Sequence, residues 1–278
     1  MKVLIKGAGD LASGIACRLH QCGFTIVMTD LPVPTAVRRT VAFSRAIYEQ
    51  TAEIEGTTAE RCQDMTEVEV ALHRGNIAVV IDPEADIRRE WMPDVVVDAI
   101  IAKQNLGTSI HDAPIVIAVG PGFTAGADCH CVVETKRGHY LGRCIYQGSA
   151  IPNSGVPGNI GGYTRERILR APCDGTFEPV VPIGAMVEPG DICGTVDGTP
   201  MRSQIPGVVR GLLQSGVRVT KGMKSGDVDP RCAPEHCQTV SDKARAIGGG
   251  VLEAILHLHQ IKREQHESGI GDKGVTCQ

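Results

Sequence analysis

Aromatic residues are scarce in this 278-residue chain: one Trp, four Tyr and four Phe, 3% of the total. That excludes the stacked aromatic platforms on which single-stranded nucleic acid is held. There is no long basic run and the net charge is −4, which argues against nucleic acid or an anionic membrane surface as a partner. No apolar run approaches the length of a membrane span. Met1 leads straight into an apolar strand with no secretory leader, so a cytoplasmic, bacterial protein is expected. Hydrophobic residues make up 42% of the chain, and its length suits two domains. Eleven cysteines are many, and in a cytoplasmic chain they read as thiols.

The most informative stretch is the first. Val3-Leu4-Ile5 is short and apolar, as a buried parallel strand is. Gly7-Ala8-Gly9-Asp10-Leu11-Ala12 then fits G-x-G-x-x-G/A. Gly7 would allow the turn, Gly9 a close approach of phosphate, and Ala12 close helix packing. Leu11, Ile15, Ala16 and Leu19 share a helix face, Gly23 ends that helix, and residues 24–28 form a second strand closed by Asp30. Asp30 stands where a ribose-binding carboxylate belongs. Arg38-Arg39 would neutralise a phosphate or form a solvated face.

Thr35 would cap a short helix running to Tyr48. Further strands are expected at 76–83, 93–103 and 113–123, giving a mostly parallel sheet. Their ends place Asp82, Asp98, Lys103, Asn105, Gly120, Gly122 and Phe123 along one ligand-facing rim. Residues 1–122 therefore read as a Rossmann-like nucleotide-binding domain and 123–168 as a connector with a hairpin. Residues 171–191 repeat in 203–223 at an offset of 32, matching Gly175 with Gly207, Gly184 with Gly216, Val187 with Val219 and Gly190 with Gly222. Such a repeat predicts, over 169–228, a small all-β barrel-sandwich hybrid of the biotinyl/lipoyl-like kind. The hairpin between the halves, residues 197–201, has no lysine for a swinging cofactor. Residues 229–278 carry a helix over about 241–264. Gly248-Gly249-Gly250 inside it costs roughly 1 kcal/mol per glycine, which predicts close backbone approach. Residues 266–278 read as a loose end.

Together "GAGDLASGIACRL", "PTAVRRTVAFSRAIYE", "VVVDAIIAKQNLGT", "GPGFTAGADCHCVVETKRGHYLGR", "GVVRGLL", "GDVDPR" and "SDKARAIGGGVLEAIL" carry a resemblance. The chain resembles the YqeB-type proteins of the selenium-dependent molybdenum hydroxylase system, from residue 1 to about 258. Its N-terminal part is similar to XdhC-type Rossmann domains. The resemblance implies an accessory maturation protein that binds a nucleotide or molybdenum cofactor and handles selenium. Its partners would be a selenium-dependent molybdenum hydroxylase or the proteins that assemble its cofactor. Asp128-Cys129-His130-Cys131 departs from the family pattern, Asp-Val-His-Ala or Asp-Val-Asp-Ala.

Three constellations bear on chemistry. Cys129 and Cys131 would face one side of a strand and His130 the other, and nothing in the sequence brings them to Cys232 and Cys237, so no metal site is assigned. Cys237 precedes a helix start at Ser241, where the helix N-terminus would favour a thiolate able to carry sulfur or selenium. Glu134, Lys136, Arg137, Gly138, His139 and Arg143 have the makings of an anion pocket. The expected cofactor is NAD(P) or a molybdopterin nucleotide. Two alternatives stand beside maturation: an NAD(P)-dependent oxidoreductase of unknown substrate, and a non-catalytic docking module. Catalysis is left open, and a homo-oligomer is compatible with either.

Overall fold

The computed structural model describes residues 1–271, and residues 272–278 of the expected loose end lie outside the described residues. The chain opens with β1 (Lys2–Lys6), α1 (Asp10–Gln21) and β2 (Thr25–Asp30). Next come the short helix α2 (Ala46–Glu49), then β3 (Thr51–Ile54), β4 (Thr57–Cys62), α3 (Met65–His73) and β5 (Ile77–Ile81). The four-residue α4 (Arg88–Trp91) leads to β6 (Val95–Asp98), β7 (Ile115–Val119), β8 (Cys131–Val133) and β9 (Cys144–Ile145). These strands form one sheet in the order β3-β4-β5-β2-β1-β6-β7-β8-β9. From β4 to β8 all neighbours are parallel, while β3–β4 and β8–β9 are antiparallel edge pairs.

The apolar runs follow from this placement. A parallel strand covered on both faces has no polar side. Val3 and Ile5 of β1 go to the face covered by α1, and Leu4 to the opposite face with Val68 and Trp91. Burying each such side chain contributes roughly 1.5–3 kcal/mol.

The second part contains β10 (Ile168–Arg170), β11 (Gly175–Pro179), β12 (Met186–Val187), β13 (Ile192–Val196), β14 (Thr199–Arg202), β15 (Gly207–Leu212), β16 (Arg218–Val219) and β17 (Lys224–Asp229). They form two four-stranded antiparallel sheets, β10-β17-β15-β12 and β14-β13-β11-β16. One core lies between them, with Leu169 and Val209 from the first sheet and Phe177 and Val196 from the second. The glycine repeat is visible in the backbone: φ is +153° at Gly175 and +159° at Gly207, +99° at Gly184 and +83° at Gly216. A last helix, α5 (Asp242–Gly271), returns to pack on α1.

Three expectations are corrected. The architecture is a nine-stranded mixed sheet followed by two antiparallel sheets, not a Rossmann-like domain with a biotinyl/lipoyl-like unit. The β3–β4 hairpin was hidden because its exposed alternate positions are charged or polar, leaving no apolar run. The expected helix from Thr35 to Tyr48 breaks into two tight 3-10 turns, 39–41 and 43–45, before α2. It breaks because the chain is tied to the second part here: Arg38 forms a bridge with Leu212, and Arg39 Nε donates to the Leu212 carbonyl at 3.2 Å.

Close approach explains the triple glycine. A Cβ on Gly248 would lie 3.2 Å from the Gly14 carbonyl oxygen, and one on Gly250 would overlap the Gly142 carbonyl. Gly14 in turn leaves room for Ala244. Glycine on both helices thus brings the N-termini of α1 and α5 to the same place. No described helix is long and apolar enough to cross a membrane.

Candidate functional site

Between the large sheet and the two smaller ones lies a cleft of about 590 Å³. From the first part, Arg38, Lys103, Lys136 and Arg137 reach it. From the second come Arg167, Arg170, Arg210 and Lys224, and Lys243 comes from α5. Only two carboxylates, Asp10 and Asp227, line the same space. In a chain of net charge −4, nine cationic side chains around one cleft give it a strongly positive lining.

Three arginines in the cleft are deeply buried: Arg38 is 7% exposed, Arg167 5% and Arg210 7%. Each has part of its guanidinium satisfied. Arg38 contacts Asp10 at 3.3 Å and donates to the carbonyls of His236 and Thr239. Arg167 contacts Asp227 at 3.2 Å and donates to the Gly158 carbonyl. Arg210 reaches Asp229 only at 3.5 Å. In all three the Nε–H has no partner. Of five buried side-chain nitrogens without a partner among the described residues, these are the three that line the cleft. An unmet buried donor costs about 1–3 kcal/mol, more when charged, so the three guanidiniums are held at a cost beside the cleft.

Electrostatics agree with this arrangement. Burial pushes the Arg210 guanidinium down, and neighbouring Arg38 pushes it the same way. Burial would raise Asp229, but hydrogen bonds from Arg231 and the charges of Arg231 and Arg210 outweigh it and hold the carboxyl at about 2. Arg137 makes a two-pronged contact with Asp242 at 2.5 and 2.7 Å, which keeps Asp242 well below the usual carboxylate range. Ile101 and Lys103 both adopt positive φ, +62° and +65°, and both line the cleft. Strain of that kind, of order 1–3 kcal/mol per residue, gathers at ligand-binding segments.

Of the residues singled out in the sequence, Asp10, Leu11, Arg38, Lys103, Lys136 and Arg137 meet in this cleft. The others serve the fold. Gly7 has φ +93°, and a Cβ there would crowd the Ala99 carbonyl. Gly9 precedes α1 with open space around it, and Ala12 is buried in the core. The Asp30 carboxylate accepts from Ala8 N–H at 3.0 Å and from Leu31 N–H at 2.7 Å, so it ties down the glycine loop and is not presented to a ribose. Asp98 is buried with Thr108 at 2.5 Å and Lys6 at 3.8 Å, out of reach of a ligand. Asn105 closes its own turn through Gly107 and Thr108. Gly120 and Gly122 are needed for positive φ beside Thr135 and Gln104. Arg39 is held by Leu212 and Gln214. His139 and Arg143 are exposed and pack on the Tyr140 ring, so the pocket expected from them reduces to Lys136 and Arg137.

Cys237 is corrected outright. Its side chain is 1% exposed against Val209, and burial pushes the thiol up despite the pull of Arg210 and Arg38. It is a protonated core thiol and not a carrier. The missed residues, Arg167 and Arg210, carried a signal: each interrupts or adjoins an apolar strand, as in "GVVRGLL", where a charge can be buried only beside a partner.

No family model matches the chain. It is 49% identical over 259 residues to the uncharacterized protein YqeB of Escherichia coli (strain K12). The match takes in 93% of this chain but 48% of that protein, so the chain spans about half the length of the curated relative it matches. Among solved structures it is similar to an aspartoacylase family protein of Mesorhizobium loti, with 13% identity and a TM-score of 0.27. It is also similar to a succinylglutamate desuccinylase/aspartoacylase of Rhodobacter sphaeroides, with 15% identity and a TM-score of 0.25. Each of these matches covers 82% of this chain and 84% of the other. Likeness at that level assigns neither fold nor activity. The comparisons nonetheless correct the resemblance read from the sequence. The relative brings the YqeB name without an activity. Nothing among them points to selenium, to a molybdenum hydroxylase or to a Rossmann nucleotide site, and those readings are withdrawn.

Proposed function

We propose that this chain binds a small polyanion, a molecule carrying phosphate or several carboxylates, in the cleft between its two parts. The observation that carries this reading is the set of nine cationic side chains around one cleft lined by two carboxylates, with Arg38, Arg167 and Arg210 deeply buried among them. Such a trio is costly in an empty protein and favourable around an anion, because charge-assisted hydrogen bonds strengthen where water is scarce. Apolar Ile101, Ile151 and Ile168 complete the lining and would shield those bonds.

Isothermal titration calorimetry with pyrophosphate and citrate tests the reading, with spermine as a cationic control and NAD(P) as a larger phosphate-bearing anion. Binding of the anions, weakened by added salt, is the expected result. Equal silence from all the anions would overturn it.

A further inference from the structure

Lys103, Lys136 and Lys243 differ from the arginines around them, since none makes an ion pair or side-chain hydrogen bond among the described residues. Lys243 is the unusual one. Ser241 caps α5 by accepting from the Ala244 N–H at 3.2 Å, so Lys243 lies in the first turn. An ammonium there meets the positive end of the helix dipole, the wrong end for a cation. Local preference alone would not choose lysine at this position, and such a conflict points to a use. Its location is set by the glycine contacts of Gly14 and Gly248, which hold the start of α5 beside Asp10 at the start of α1.

The groups facing Lys243 can be named. Asp10 comes from α1, Arg137 and Glu134 from the loop after β8, and Asp242 from its own helix. Burial pushes the Lys243 amine below the ordinary lysine value and Arg137 adds to this, against the three carboxylates. A lysine pushed down in this way gives up its proton more readily, and the neutral amine is the nucleophile.

We propose that Lys243 is a carbonyl-reactive amine, and that the cleft takes an aldehyde or ketone bearing a phosphate or carboxylate. This rests on the anion-binding reading above. The anionic group would lie on Arg38, Arg167 and Arg210, and the carbonyl would face Lys243. The Nζ lone pair attacks the carbonyl carbon and an N–C bond forms. The carbonyl oxygen leaves as water with both amine protons, and a C=N bond remains. No electrons are gained or lost overall, so no oxidant or reductant is needed.

The probe is pyridoxal 5′-phosphate, an anionic aldehyde, trapped on the intact chain with borohydride near neutral pH and located by peptide mass spectrometry. The expected result is about tenfold more adduct on Lys243 than on exposed Lys221, suppressed by pyrophosphate. If calorimetry detects pyrophosphate but Lys243 labels no better than Lys221, the amine inference falls and the anion site stands. Preferential labelling of Lys103 or Lys136 overturns the assignment to Lys243. Labelling of Lys243 that pyrophosphate neither blocks nor accompanies by binding overturns the anionic ligand class, and the proposal with it.

Discussion

The glycine loop and the arginine floor border the same cleft and treat their polar groups in opposite ways. On the loop side nearly everything is satisfied from within. Asp30 accepts from Ala8 and Leu31, Asp98 is closed by Thr108 and Lys6, and Asn105 completes its own turn. On the floor, Arg38, Arg167 and Arg210 are buried and each keeps a donor unmet. A loop that resembles a ligand cradle can be complete without a ligand, whereas buried cations gathered at one cleft leave positive charge that an anion would balance.

The largest test of the contrast is Arg167→Met. It leaves Asp227 buried with only Lys224 at 3.9 Å, and removing one partner of a buried pair costs about 3–5 kcal/mol. Urea denaturation should show that loss, and anion binding should go with it. Adding Asp227→Leu should restore most of the stability, because an apolar replacement of the whole pair is often neutral, but should not restore binding. Recovery of both would mean that the floor is only structural.

Acid titration comes next. Asp229 titrates near 2 in the fold against an ordinary 3.8, so the fold holds its proton less tightly than the unfolded chain. That contributes roughly 2 kcal/mol, fully present above pH 3.8 and lost as the pH falls through about 2. In Asp229→Asn the stability curve over this window should flatten.

Gly250→Ala probes the helix side of the comparison. The new Cβ would overlap the Gly142 carbonyl and crowd Val133, and overpacking of this kind costs about 1–3 kcal/mol despite the better helix propensity of alanine. A Tm at or above that of the parent would show that the approach is looser than described. The smallest effect is expected at the surface pair His139 and Arg143. Alanine at either should change stability by less than about 0.5 kcal/mol and leave pyrophosphate binding intact. A clear loss of binding would return the hairpin to the site.

The structure also separates the ten cysteines among the described residues. Cys22 and Cys232 are exposed, while Cys237 is enclosed, so a thiol reagent should reach the first two in the native state and Cys237 only on unfolding.

Much of the fold was legible because it is local. Apolar runs marked β1, β2, β5, β6 and β7, and Gly23 marked the end of α1. The paired glycines marked the repeat because each needs positive φ at the same turn. The β3–β4 hairpin was not legible, since its charged alternate positions leave no apolar run. Nor was the break before α2, which depends on the bridge to Leu212.

The sequence by itself determined the strand pattern and the glycine turns. Only the tertiary structure decided that Asp30 and Asp98 are occupied within the fold and that Cys237 is sealed in the core. It alone brought Arg38, Arg167 and Arg210 to one cleft with Lys243. The physical reason is that hydrophobic period and backbone φ are properties of neighbours along the chain. Whether a donor is met, or a charge desolvated, depends on everything packed around it.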